Sequence, residues 1–188
     1  MAMKFPAIIG LLAALLCGCQ SVVVRDAPQP VRVADGVMID STPLVEALLS
    51  QTGTVLQAVS GSWKDNAFAA EVVMKGDGQR LTAIFLAPQM RLATITLTRP
   101  HAIRYERAAQ IPRMFEPEYA LADLAFVNLD ARTLRRAVAP ALRVEDDGAT
   151  RRIFAGDTLV ADLTTNPDAT RTFRNLVHGY TYTLKTLQ

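Results

Sequence analysis

Residues 80–107 read RLTAIFLAPQMRLATITLTRPHAIRYER. Three apolar runs of period two lie between two proline-bearing breaks. In Arg91–Arg99, Ala93, Ile95 and Leu97 fall on one side and Leu92, Thr94, Thr96 and Thr98 on the other, which is the alternation of a strand with one buried face. Arg80–Leu86 is a strand rich in Ile, Phe and Leu, and His101–Arg107 is another, with Ile103 and Tyr105 on one face. Ala87-Pro88-Gln89-Met90 interrupts the first pair and Pro100 breaks the second. Connections this short join antiparallel neighbours, because a parallel crossover takes a dozen residues or more. The stretch reads as a β-meander.

The pattern extends in both directions. Upstream, Phe68, Ala70, Val72 and Met74 alternate with Ala69, Glu71, Val73 and Lys75, and Gly76-Asp77-Gly78 is a hairpin signal. The segment around Trp63 reads as a strand and Lys64-Asp65-Asn66 as a turn. Before it, Thr42-Pro43 opens a helix with Thr42 as cap, Leu44, Leu48 and Leu49 as its apolar stripe and Gly53 as its stop. Downstream, Glu116-Pro117 starts a helix with Leu121, Leu124 and Ala125 on one stripe. Asp130 caps a second, with Leu129 and Leu134 placed as a hydrophobic staple, Val138 on the same stripe and Pro140 as the stop. Strands then return at Arg151–Phe154, Leu159–Thr164 and Tyr180–Leu184, with turn signals at Asp146-Asp147-Gly148 and Ala155-Gly156-Asp157. Helices grouped against an antiparallel sheet make an α+β architecture. A strongly curved sheet with helices on its concave face would leave an apolar cavity.

The N-terminus reads as an export signal. Lys4 is followed by an apolar run, Phe5–Leu16, too short to span a bilayer and suited to a signal peptide. Leu16-Cys17-Gly18-Cys19 then resembles the lipobox cut by lipoprotein signal peptidase, with Cys19 as the lipidated residue. On this reading residues 1–18 are the signal peptide, 19–38 a lipidated tether and 39–188 the domain. The tether reading rests on Ser21–Gly36, which holds Pro28 and Pro30 and shows no helical period. Gln20 after the cysteine, in place of Asp, implies sorting to the outer membrane, facing the periplasm.

Removing the first 18 residues from 188 leaves 170, enough for one domain with a sizeable core. The chain has two cysteines, one lost with the signal and one spent on the lipid, so no disulfide is expected. The net charge of +2 gives no reason to expect nucleic acid. His101 and His178 are far apart in sequence and no H-E-x-x-H is present, so neither a metal nor another cofactor is expected. Ser60-Gly61-Ser62 lacks the surroundings of a nucleophile elbow. His178-Gly179 reads as a strand-end turn, Asp146-Asp147 as a solvated turn, and Arg132, Arg135 and Arg136 as the wet face of a helix. A non-enzymatic protein is expected.

The order of segments resembles the LolA/LolB fold, and LolB more closely. The resemblance runs from about Val55 to Leu187 and includes the hairpin Ala67–Leu86, the loop Ala87–Met90, the strand pair Arg91–Arg107 and the helices from Pro117 to Ala139. The chain is also similar to a small lipoprotein family found beside aryl-polyene-type synthesis genes. The resemblance implies an unclosed antiparallel barrel lidded by helices that encloses acyl chains of a lipid or lipoprotein cargo, handed over by a periplasmic carrier protein. LolB exposes a leucine on the loop that Ala87–Met90 resembles; here the apolar candidate is Met90, offset by a residue, and the chain has a single Trp63. The wall residues expected are Val72, Met74, Phe85, Ile95, Leu97 and Tyr105, with Leu124 and Leu134 on the lid. Pro88 and Met90 are the expected cargo- or membrane-contact loop. The alternative is an accessory lipoprotein whose fold binds a protein partner in a lipid or polyene export system.

Overall fold

The computed structural model describes residues 20–63, 66–108 and 117–187. Residues 1–18, read from the sequence as a signal peptide, and Cys19 lie outside the described residues, as do Lys64, Asp65 and Glu116. In chain order the elements are β1 (Gln20–Arg25), β2 (Val31–Ala34), β3 (Val37–Ile39), α1 (Thr42–Leu49), β4 (Thr52–Trp63), β5 (Asn66–Asp77), β6 (Arg80–Ala87), β7 (Met90–Thr98) and β8 (Ala102–Ala108). They continue as α2 (Pro117–Asn128), α3 (Ala131–Val138), β9 (Arg143–Asp146), β10 (Thr150–Ala155), β11 (Thr158–Thr165), β12 (Arg171–Asn175) and β13 (Tyr180–Thr186).

Eleven strands form one antiparallel sheet in the order β1-β8-β7-β6-β5-β4-β13-β12-β11-β10-β9, and β2 pairs with β3 apart from it. The sheet is curved and does not close, so the α+β unclosed barrel is the fold. The meander is observed as read: Leu81, Leu97 and Ile103 stand in one cross-strand row, and Ala83, Ile95 and Tyr105 in the next. All six are buried; the residues between them point to the other face, where Thr82, Ile84 and Arg104 are more accessible but Thr94 and Thr96 of β7 are buried as well. Two joins are not hairpins. The edge strand β1 lies along β8, and β13 lies along β4, with Leu184 opposite Val59 and Tyr182 opposite Gly61. That second join connects the two halves of the sheet.

The three helices pack on the inner face. α1 buries Leu44, Val45, Leu48 and Leu49; α2 buries Leu121, Leu124, Ala125 and Phe126; α3 buries Leu134 and Val138. Asp130 caps α3 as expected, its Oδ1 accepting from the Thr133 N–H at 3.0 Å. Leu129 and Leu134 are both buried.

Three sequence readings are corrected. Ser21–Gly36 is not a tether: Gln20–Arg25 forms β1, and Val31, Val33 and Ile39 of the β2–β3 hairpin are buried in the core. Pro28 and Pro30 sit in the short connection between these strands rather than in a linker. The cap position of α1 is Ser41, not Thr42. The Ser41 hydroxyl donates to the Gln29 carbonyl at 2.6 Å, and the Thr42 N–H donates to Asp40 Oδ1 at 2.9 Å. α1 stops at Ser50, and Gly53 belongs to β4 with a φ of +96°.

Candidate functional site

The inner face brings the expected wall residues together. Val72 and Met74 on β5, Ile95 and Leu97 on β7, Tyr105 on β8, Leu124 on α2 and Leu134 on α3 are all buried in one hydrophobic cluster. Phe85 on β6 packs against that cluster and is half-buried. α1 belongs to the same layer, although the sequence reading assigned the lid to the two later helices alone. With α1 present, the middle of the face is packed core.

Towards the end of the sheet that carries the β6–β7 turn, the cover thins. Val59 faces Ala70 across β4 and β5, Tyr182 stands diagonal to Val59 on β13, and Phe85 stands diagonal to Ala70 on β6. All four are half-buried, and Phe68, opposite Gly61, is exposed. The Tyr182 ring lies 5.0 Å from Phe173 and 6.2 Å from Tyr180, centroid to centroid. The result is a strip of apolar and aromatic side chains running over four strands beyond the helix-packed middle. The loop of Pro88 and Met90 stands at this same end. Ala87 pairs with Met90 across the turn, and Gln89 has a φ of +68°, so Pro88-Gln89 has the signs of a type II turn. Pro88 and Met90 are exposed.

A polar network fixes α2 over this surface. The Tyr180 hydroxyl hydrogen-bonds the Asp123 carboxylate. The Asn175 amide donates to Asp123 at 3.3 Å and to the Tyr180 oxygen at 3.0 Å. Burial pushes the Asp123 carboxyl up to about 7, against the opposing pull of those two hydrogen bonds. Burial, reinforced by the Asp123 charge, also raises the Tyr180 and Tyr182 hydroxyls. The His178 ring lies 4.4 Å from Tyr119, and burial with the Arg32 charge nearby lowers its pKa. A small cavity of about 10 Å³, room for one water, opens among Arg32, Tyr119, Asp123, Asn175 and His178. None of the expected wall residues lines it. Asp123, Asn175 and Tyr180 satisfy one another, which is the chemistry of a fastening rather than of a nucleophile with its base.

The C-terminus of α2 is fastened as well. Its last four carbonyls have no partners within a helix. Here Ala125 accepts from the Leu129 N–H, Phe126 and Val127 accept from the Arg151 and Arg171 guanidinium groups at 2.7 and 2.8 Å, and Asn128 accepts from Gln51 at 3.3 Å. Arg151 also bonds the Leu129 carbonyl and Asp146, so the Asp146 side chain is engaged within the fold. The sequence reading missed these residues. The one available signal was Asp123, a lone carboxylate among the apolar residues 119–127.

No curated protein matched the chain. Residues 54–188 match the family described as Protein of unknown function (DUF3261), a span that starts in β4 and ends beyond β13. That match covers well over half of the 188 residues, and the chain belongs to this family.

Proposed function

We propose that the protein is an outer-membrane lipoprotein, anchored through Cys19 and facing the periplasm, that binds acyl chains of a lipid or lipoprotein on the concave face of its sheet without catalysing a reaction. The observation that carries this reading is the half-buried strip of Val59, Ala70, Phe85 and Tyr182 beyond the helix-packed middle. Apolar surface gains free energy by leaving water, about 0.8 kcal/mol for each CH₂ buried. An acyl chain laid along the strip would therefore be covered on one side by four strands.

The test is a titration of the Cys19→Ala protein with fluorescent fatty acids of increasing length. Affinity should rise about fourfold for each added CH₂ that the strip buries. Phe85→Glu should abolish binding in a protein that still melts cooperatively, at a lower temperature because Phe85 packs in part against the core. Absence of binding, or binding indifferent to Phe85, refutes the reading. One observation favours an accessory role with a protein partner: β1 is an edge of the sheet, and Val22 and Val24 are exposed on its outer face. Saturable capture of a periplasmic protein that is lost in Val24→Lys would support that second reading.

A further inference from the structure

The two ends of the sheet differ in chemistry. One end carries the β6–β7 turn at Pro88-Gln89, the β10–β11 turn at Gly156-Asp157 and the β12–β13 turn at Leu176–Gly179. β1 also starts there, since Gln20 pairs with Ala108, the last residue of β8. Phe68, Met90, Leu176 and Val177 stand at or beside the turns of this end with 37, 36, 47 and 37 % of their surface exposed. The opposite end carries the β5–β6, β7–β8, β9–β10 and β11–β12 turns. Its turns hold Asp77, Asp147 and Asp168, each accepting a backbone N–H of its own turn, with Leu187 and, near the end of β1, Val24 as exposed apolar residues among the described residues there.

The anchor falls at the apolar end. β1 pairs with β8 from Gln20 onward, and Cys19 is the residue immediately before it. A lipid on Cys19 is thus joined to the sheet with no linker between them. An apolar tip gains by entering the headgroup layer, whereas a carboxylate is repelled by anionic lipid. We propose that this end of the sheet rests on the bilayer, with Leu176, Val177, Met90 and Phe68 inserted at the headgroup level, the exposed Asp157 at their side, and the turns of Asp77, Asp147 and Asp168 pointing away. The mouth of the half-buried strip then opens onto the lipid surface. This placement rests on the lipoprotein reading above.

The experiment uses the acylated chain in vesicles of phosphatidylethanolamine and phosphatidylglycerol, with part of the lipid brominated on its acyl chains. Cys19 is consumed by the lipid, so a single introduced cysteine takes an environment-sensitive fluorophore uniquely. Labels are placed at the two ends, on Leu176→Cys and on Asp168→Cys. The label on Leu176→Cys should be quenched several-fold more strongly than the label on Asp168→Cys and should emit to the blue of it. A protein of acylated mass in which both labels are equally wet, or in which Asp168→Cys is the more quenched, overturns the placement and leaves the anchor standing. A protein without acyl mass overturns the anchor, and the placement with it. Leu176→Asp combined with Val177→Asp provides a second readout. Both side chains are exposed, so the melting curve should hold, while quenching of a label on Met90→Cys should fall several-fold. Unchanged quenching there also refutes the placement.

Discussion

Gly61 sits where the two halves of the sheet meet, and an alanine there should open the join. A Cβ built on Gly61 would stand 2.3 Å from the Thr181 carbonyl oxygen and 2.6 Å from the Tyr182 Cβ. The first of these is backbone, fixed by the β4–β13 ladder, and no rotamer change relieves it. A glycine inside a strand marks such a close approach of a second backbone. Overpacking that forces backbone shifts costs about 1–3 kcal/mol, and loosening the rungs around Tyr182 adds to it. About 3 kcal/mol in a domain of this size lowers the melting temperature by roughly 6–12 °C. The comparison is Gly148→Ala, where the added Cβ meets nothing within 4 Å and the cost is the left-handed φ of +89° alone. That is about 1 kcal/mol. Thermal and urea denaturation followed by circular dichroism measure both. Equal stabilities for Gly61→Ala and the wild type would refute the close-packed join, and a loss no larger than that of Gly148→Ala would reduce it to a backbone preference.

Asp123 makes stability depend on pH. Its carboxyl rises from 3.8 to about 7 on folding, so the folded state holds the proton more tightly. The contribution is complete below about pH 4 and is lost as pH rises through 7, with an upper bound of about 4 kcal/mol. The lowered His178 pKa favours pH 8 equally in both proteins, so the urea midpoint at pH 5 relative to pH 8 should be higher in the wild type than in Asp123→Asn; the same difference in both disproves the assignment. Arg151→Met should cost about 2–4 kcal/mol, because the Phe126 and Leu129 carbonyls and Asp146 Oδ2 lose their donor, while Asp146 Oδ1 keeps the Gly148 N–H. The exposed Arg136→Met should stay within about 0.5 kcal/mol of the parent in the same melts. On the lipoprotein reading, Cys19→Ala should lose its acyl mass and move to the soluble fraction, since one acyl chain alone already binds membranes marginally. Retention in the membrane fraction with unchanged mass counts against that reading.

The meander was legible because Arg80–Arg107 alternates along its length, and alternation with short breaks leaves one pairing pattern. The same period placed Val72, Met74, Ile95, Leu97 and Tyr105 on one face, and the structure packs them together. β1 was not legible: Val22-Val23-Val24 does not alternate, and its partner β8 is some eighty residues away. β12 was missed because Phe173 is its single large apolar residue. The half-buried strip was invisible for a related reason. Val59 and Tyr182 lie in strands that were both anticipated, but their neighbourhood depends on the β4–β13 register, which no local pattern encodes. The arginine and glutamine partners of the α2 carbonyls come from β10, β12 and the residue before β4, equally remote in sequence.

These fastenings bear on how a ligand would reach the concave face. α2 is held at three levels: near its start by the Arg25–Glu118 ion pair to β1, in its middle by Asp123 to Asn175 and Tyr180, and at its end by Arg151, Arg171 and Gln51. Lifting it would break a part-buried ion pair and strand several enclosed acceptors, each costing about 1–3 kcal/mol without its donor. A helix fixed along its length to β1, β10, β12 and β13 is a floor, not a hinged lid. On the proposed reading, acyl chains therefore enter from the end of the sheet, past Phe68 and Phe85, with α2 staying in place. Arg25 adds a coupling, because it closes the strand that begins next to Cys19 and bonds the first turn of α2. β1, the floor and the mouth of the strip are thereby tied together. Weakening α2 with Arg171→Met should lower stability without speeding acyl uptake, whereas Phe68→Glu at the mouth should slow uptake without lowering stability. Stopped-flow mixing with a fluorescent fatty acid separates the two, and faster uptake in Arg171→Met would show that the helix opens after all.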